Sequence, residues 1–148
     1  MFHTNNSPVP RLAQIEEIRK ITARYERDPA GAEQDARDLV GATGSLGGAR
    51  PKVNVIDGDT LWIAKFTSIT DTWHVERLEV ATLDLACQVG QRTPDARLEF
   101  ARSDHPVALI QRFDRRGKGR VPYISARTAL GKIESESGYY TDIADLIR

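Results

Sequence analysis

The sequence predicts an α+β fold, an antiparallel sheet of about five strands with one long packed helix and flanking short helices. Three observations carry this reading. Two β-rich runs, Pro51 to Ile56 and Thr60 to Phe66, flank Asp57-Gly58-Asp59, and Asp-Gly between such runs is a strong hairpin signal. A helical run from His74 to Val89 follows, closed by Gly90. Three further β-rich runs come after it, Leu98 to Ala101, Pro106 to Phe113 and Val121 to Ser125.

Taken in order, residues 1–10 hold Asn5, Asn6, Ser7, Pro8 and Pro10 and little to bury, which reads as a flexible lead-in. Residues 11–42 read as a helical segment. Leu12, Ile15, Ile18, Ile21 and Tyr25 recur at helical spacing from Arg11 to Arg27, Asp28-Pro29-Ala30-Gly31 ends that helix, and a short second helix runs from Ala32 to Val40. On the long helix Asp71 is the N-cap candidate, and Val75, Leu78, Ala81 or Thr82, Leu85 and Val89 form the apolar stripe. A basic turn from Asp114 to Gly119 leads to Val121. Short helices at Ser125 to Leu130 and Thr141 to Ile147 close the chain. The layout is that of a kinase amino-terminal lobe, an analogy that does not by itself give function.

Composition bounds the function classes. The chain has 148 residues, 28% charged and 40% hydrophobic, with zero formal net charge, so no global field draws it to nucleic acid or membrane. One cysteine, Cys87, excludes an intrachain disulfide and a thiolate zinc cluster and suits a reducing cytosol. No apolar leader and no membrane-spanning stretch is visible, and the expectation is a cytoplasmic protein. His3, His74 and His105 are too scattered for a metal site.

The residues with chemistry to offer begin at Gly44-Ser45-Leu46-Gly47-Gly48-Ala49-Arg50-Pro51-Lys52. Glycines at 44, 47 and 48 let backbone N–H groups approach a phosphate, but from the loop alone a plain hairpin entrance is the weightier reading. This is neither the P-loop pattern nor G-x-G-x-x-G. Strand alternation places Ile63 and Lys65 on one face and Trp62, Ala64 and Phe66 on the other. Lys65 then either reaches water or meets an anion, as a point charge for nucleotide phosphates held by a helix glutamate. Glu76 and Glu79 are three apart on the following helix and near one face, and a solvated surface is the usual place for either. Arg112, Arg115, Arg116, Lys118 and Arg120 around Asp114 form a local positive cluster with no interleaved aromatic platform, so a nucleic-acid interface is the lesser reading.

Together the glycine loop, Trp62-Ile63-Ala64-Lys65-Phe66, Glu79 with Leu85-Ala86 and Gly90, Arg112-Phe113-Asp114-Arg115, and Ser125-Ala126 with Leu130-Gly131 resemble the HipA family. These are bacterial serine/threonine-kinase toxins of type II toxin–antitoxin systems. The resemblance runs from about residue 35 onward and makes residues 43–148 a HipA-like nucleotide-binding lobe. It implies a phosphate-side loop that includes Gly44, Ser45, Gly47, Gly48 and Lys52, with Ser45 as the family's autophosphorylated regulatory serine. It implies that Lys65 contacts the α-phosphate side of ATP, that Glu79 (Glu76 as fallback) is the helix acid, and that Gln111 and Phe113 line the adenine pocket. The cofactors implied are ATP and Mg²⁺. The partners implied are a HipB-like antitoxin, through which alone DNA is met, and a translation component such as glutamyl-tRNA synthetase as substrate.

The family's catalytic aspartate and metal-binding residues lie beyond the adenine strand, in a helical carboxyl-terminal lobe. After Arg120 this chain offers Glu134, Glu136, Asp142 and Asp145 and no D-x-H-x-x-N text. The resemblance therefore implies a piece with no catalytic or metal-binding residue of its own, inactive without the missing lobe. A docking module for an antitoxin or other partner, with a vestigial pocket, is the alternative.

Overall fold

The computed structural model describes residues 9–28, 30–31, 50–116, 119–133 and 136–147. The chain divides into two compact units, Met1–Phe113 and Asp114–Arg148. The first is an α+β unit built on a four-stranded antiparallel sheet. Its strands are β1 (Lys52–Asp57), β2 (Thr60–Phe66), β3 (Ala96–Glu99) and β4 (Val107–Gln111), in the order β1-β2-β4-β3. Asp57 pairs with Thr60, so the hairpin turn is Gly58-Asp59, and Gly58 sits at φ +59, which glycine adopts without a Cβ penalty.

The alternation expected for β2 decides what lies under each face. Trp62, Ala64 and Phe66 are buried, as are Val53 and Val55 of β1 and Val107 and Leu109 of β4. A turn of 3₁₀ helix (Leu12–Gln14) and helix α1 (Ile15–Arg27) add Ile15 and Ile18 to this core, with Leu12 and Phe100 packed against it. Thr22 takes the last inward position of α1, its hydroxyl donating to Ile18 O at 2.9 Å, while Tyr25 stays 43% exposed. Ile56 N–H donates to Pro10 O at 2.9 Å and Arg11 forms a parallel bridge with Ile56, so the chain before α1 covers the β1 edge. The helix predicted over residues 32–40 lies outside the described residues.

Helix α2 (Val75–Gln88) follows β2, with Gly90 at φ +83 just past its end. Two expectations for it are corrected. Asp71 does not cap it: His74 is the N-cap residue, and the Asp71 carboxylate instead accepts from Ser68 N–H at 2.8 Å and from Arg50. A charge-assisted, two-pronged pair with a guanidinium outcompetes a cap bond. The predicted apolar stripe is not the packed side either. Leu78, Leu85 and Val89 are 58%, 61% and 76% exposed, and Glu76 is the buried residue of the helix at 1%. The side that loses exposure carries Glu76, Glu79, Val80, Leu83 and Ala86. Carboxylates turn inward because Arg50 and Lys65 wait there to receive them.

The second unit holds a two-stranded ribbon, β5 (Arg115–Arg116) with β6 (Gly119–Arg120), then α3 (Ala126–Ala129) and α4 (Tyr140–Leu146). The run from Val121 to Ser125, expected as a strand, has no strand partner among the described residues, which leaves the main sheet at four. Ser125 instead caps α3, its hydroxyl accepting Thr128 N–H at 3.1 Å. No helix among the described residues is long and apolar enough to cross a membrane.

Candidate functional site

The face of the sheet opposite the α1 core is polar in two strands. Register places Lys52, Lys65, Ala108 and Leu98 in one row across β1, β2, β4 and β3, and Asn54, Ile63, Ile110 and Ala96 in the next. Antiparallel partners share a face, so Lys52 and Lys65 stand side by side. The Lys65 ammonium donates to Glu79 Oε1 of α2, and both side chains keep about a third of their exposure (27% and 31%). Burial first, then the charges of Lys65 and Arg50, hold the Lys52 ammonium below the usual lysine range, with Glu79 opposing them.

Arg50 enters β1 from the glycine-loop side and makes the most extensive ionic contacts on this face. Its Nη1 donates to Asp71 Oδ1 at 2.7 Å, and its Nη2 to Asp71 Oδ2 at 2.5 Å and Glu76 Oε1 at 2.8 Å. Thr67 Oγ1 lies 3.1 Å from the other Glu76 oxygen. The Asp71 hydrogen bond foremost holds the Arg50 guanidinium above its usual range, and Arg50 in turn holds the Asp71 carboxyl below its own. At the other end of the face Arg112 Nη1 donates to Asn54 Oδ1 at 2.8 Å. Cations from three chain segments thus converge on one sheet face, and three carboxylates tether two of them.

Of the residues singled out from sequence, Lys52, Lys65 and Glu79 are brought together, and Glu76 meets Arg50 in place of Lys65. Gly44, Ser45, Gly47 and Gly48 lie outside the described residues. Gln111 falls opposite Trp62 in the register, on the core face, which separates its side chain from the Lys65 row. Phe113 follows the end of β4 and is 63% exposed. Residues the sequence did not single out are Asn54 and the pairing of Arg50 with Asp71 and Glu76. Those partners lie 21 and 26 residues from Arg50, beyond the reach of any local pattern.

Lys52 and Lys65 give this face two adjacent positive charges. A lysine with a depressed pKa beside a second lysine is relieved by negative charge, and a terminal phosphate offers several oxygens to such a pair. For a metal the structure supplies no donor set: among the described residues no group of three His, Cys, Asp or Glu side chains could hold an ion.

Comparison with known proteins agrees with the residues quoted above. The family model described as HipA-like C-terminal domain matches residues 44–148. Searches of curated proteins and of solved structures returned no match.

Proposed function

This chain belongs to the HipA-like C-terminal domain family, and on that premise we propose that it is the nucleotide-binding lobe of a HipA-like serine/threonine kinase. The observation that carries the reading is the Lys65–Glu79 ion pair between β2 and α2, with Lys52 opposite Lys65. In protein kinases a strand lysine held by a helix glutamate positions the nucleotide phosphates. Glu79 holds the Lys65 side chain over the sheet, and Lys52 supplies a second positive charge on the same face. When bound, ATP with Mg²⁺ supplies the transferable γ-phosphoryl group. The residues present here orient its phosphates, and transfer to a hydroxyl depends on a base and metal-binding carboxylates of a further lobe.

The finer parts of the proposal extend the resemblance to the HipA family. The substrate is a serine or threonine of a translation component such as glutamyl-tRNA synthetase, and the setting is a cytoplasmic toxin–antitoxin pair. A HipB-like antitoxin is the partner, and Ser45 is the regulatory phosphosite. Calorimetric titration of the chain with ATP–Mg and, separately, with a DNA duplex tests the first step. The reading expects weak, saturable ATP binding and no steeply salt-dependent DNA binding. The opposite pattern contradicts it.

One observation favours the second reading, a docking module. Leu78, Leu85 and Val89 leave an apolar side of α2 in solvent. That reading expects a stable complex with a HipB-like antitoxin and no ATP binding, and Leu85→Asp is expected to weaken the complex.

A further inference from the structure

We propose that Arg50 is a positioning residue that sets how α2 sits on the sheet and so holds Glu79 against Lys65. The inference rests on the nucleotide reading for its functional consequence, and on geometry alone for the positioning itself.

The geometry begins with Glu76. It is 1% exposed, lies in the first turn of α2, and has its carboxylate divided between Arg50 Nη2 at 2.8 Å and Thr67 Oγ1 at 3.1 Å. A carboxylate this deep is stable only while a cation faces it. Arg50 is that cation, and the same guanidinium grips Asp71, whose Oδ2 also accepts Ser68 N–H. One planar fork therefore fixes both the β2–α2 connection and the first turn of the helix. Glu79 follows Glu76 by three residues, about 4.5 Å along the axis and near the same face. A rotation of α2 that takes Glu76 toward water must carry Glu79 with it.

Without the guanidinium, hydration draws the Glu76 carboxylate outward. The helix turns, Glu79 leaves Lys65, and the Lys65 ammonium stands beside Lys52 with no tether. Lysine retains the charge but cannot reach two carboxylates with a fixed fork, so Arg50→Lys sits between the wild type and the neutral variant. Neither Arg50 nor Glu76 needs to touch a ligand for this to weaken its binding.

The experiment follows the lysine side-chain ¹⁵Nζ and ¹³Cε signals of the whole chain by NMR, with the Lys65 signal assigned through Lys65→Arg. Arg50→Gln is expected to move that signal to where Glu79→Gln puts it, and the double variant to move it no further. Arg50→Lys is expected to move it part of the way. ATP–Mg affinity is expected to fall roughly tenfold in Arg50→Gln, with little further loss when Glu79→Gln is added. An unmoved Lys65 signal in folded Arg50→Gln overturns the proposal, as does an unmoved signal in Arg50→Lys if the glutamine variant does not fold. If the wild type binds no ATP, the nucleotide reading fails while the Lys65 signal still decides the role of Arg50.

Discussion

Lys52 and Lys65 face one another directly across β1 and β2, two like charges on the polar side of the sheet. Like charges directly opposite one another cost stability, and the Lys65 charge adds to burial, the larger cause, in holding the Lys52 ammonium below the usual lysine range. Between that lowered value and the ordinary lysine value near 10.4, the unfolded chain binds more protons than the folded one, so stability is expected to rise with pH through that window. Lys52→Gln is expected to raise stability at neutral pH by about 0.5 kcal/mol and to flatten the rise. Urea unfolding measured between neutral and strongly alkaline pH checks both outcomes.

Arg50→Ala is expected to destabilise the first unit by about 3 kcal/mol, because it leaves the Glu76 carboxylate buried without its cation. The same change made in a Glu76→Gln background is expected to cost well under half of that. A double-mutant cycle by chemical unfolding gives the coupling.

Acid acts on the same cluster through Asp71. Its carboxyl is held below the usual range, by the Arg50 hydrogen bond first and the Ser68 N–H after it. A depressed carboxyl pKa gives stability that is complete above the unfolded value near 3.9 and is lost as pH falls through the folded value. Asp71→Asn is expected to remove this part of the acid lability while lowering stability at neutral pH. Thermal unfolding of both proteins across the acid range checks the sign.

The two sides of α2 separate in a third way. Leu85→Ser, on the exposed side, is expected to change stability by less than about 0.5 kcal/mol. Leu83→Ala, on the packed side, is expected to cost about 1–2 kcal/mol, and Phe66→Ala, in the core at 1% exposure, about 3–5 kcal/mol. A large loss from Leu85→Ser would restore the stripe read from periodicity.

That stripe shows where sequence reading stops. The hairpin, the faces of β2 and the span of α2 were legible because alternation, Asp-Gly and helical spacing are local signals. The packed side of α2 was not. Apolar residues occupy both sides of the helix, and what turns it is a pair of carboxylates answering cations 14 and 26 residues away in the chain. The Asp71 cap failed for the same reason, since a distant guanidinium claimed the side chain. At the site, Lys65 and a helix glutamate were legible as residue types. The register that puts Lys52 beside Lys65 and Gln111 on the far face needed strand pairing to be known.

Titration of the chain and its Lys65→Ala variant with ATP–Mg, followed by NMR shifts of the β1 and β2 amides, bears on the nucleotide reading as a whole. Saturable shifts at Lys52 and its neighbours are expected in the wild type. In the variant, affinity is expected to fall roughly tenfold or more, as the loss of a charge-assisted contact requires. Equal shifts at equal ATP concentration in the two proteins would contradict the role given to Lys65.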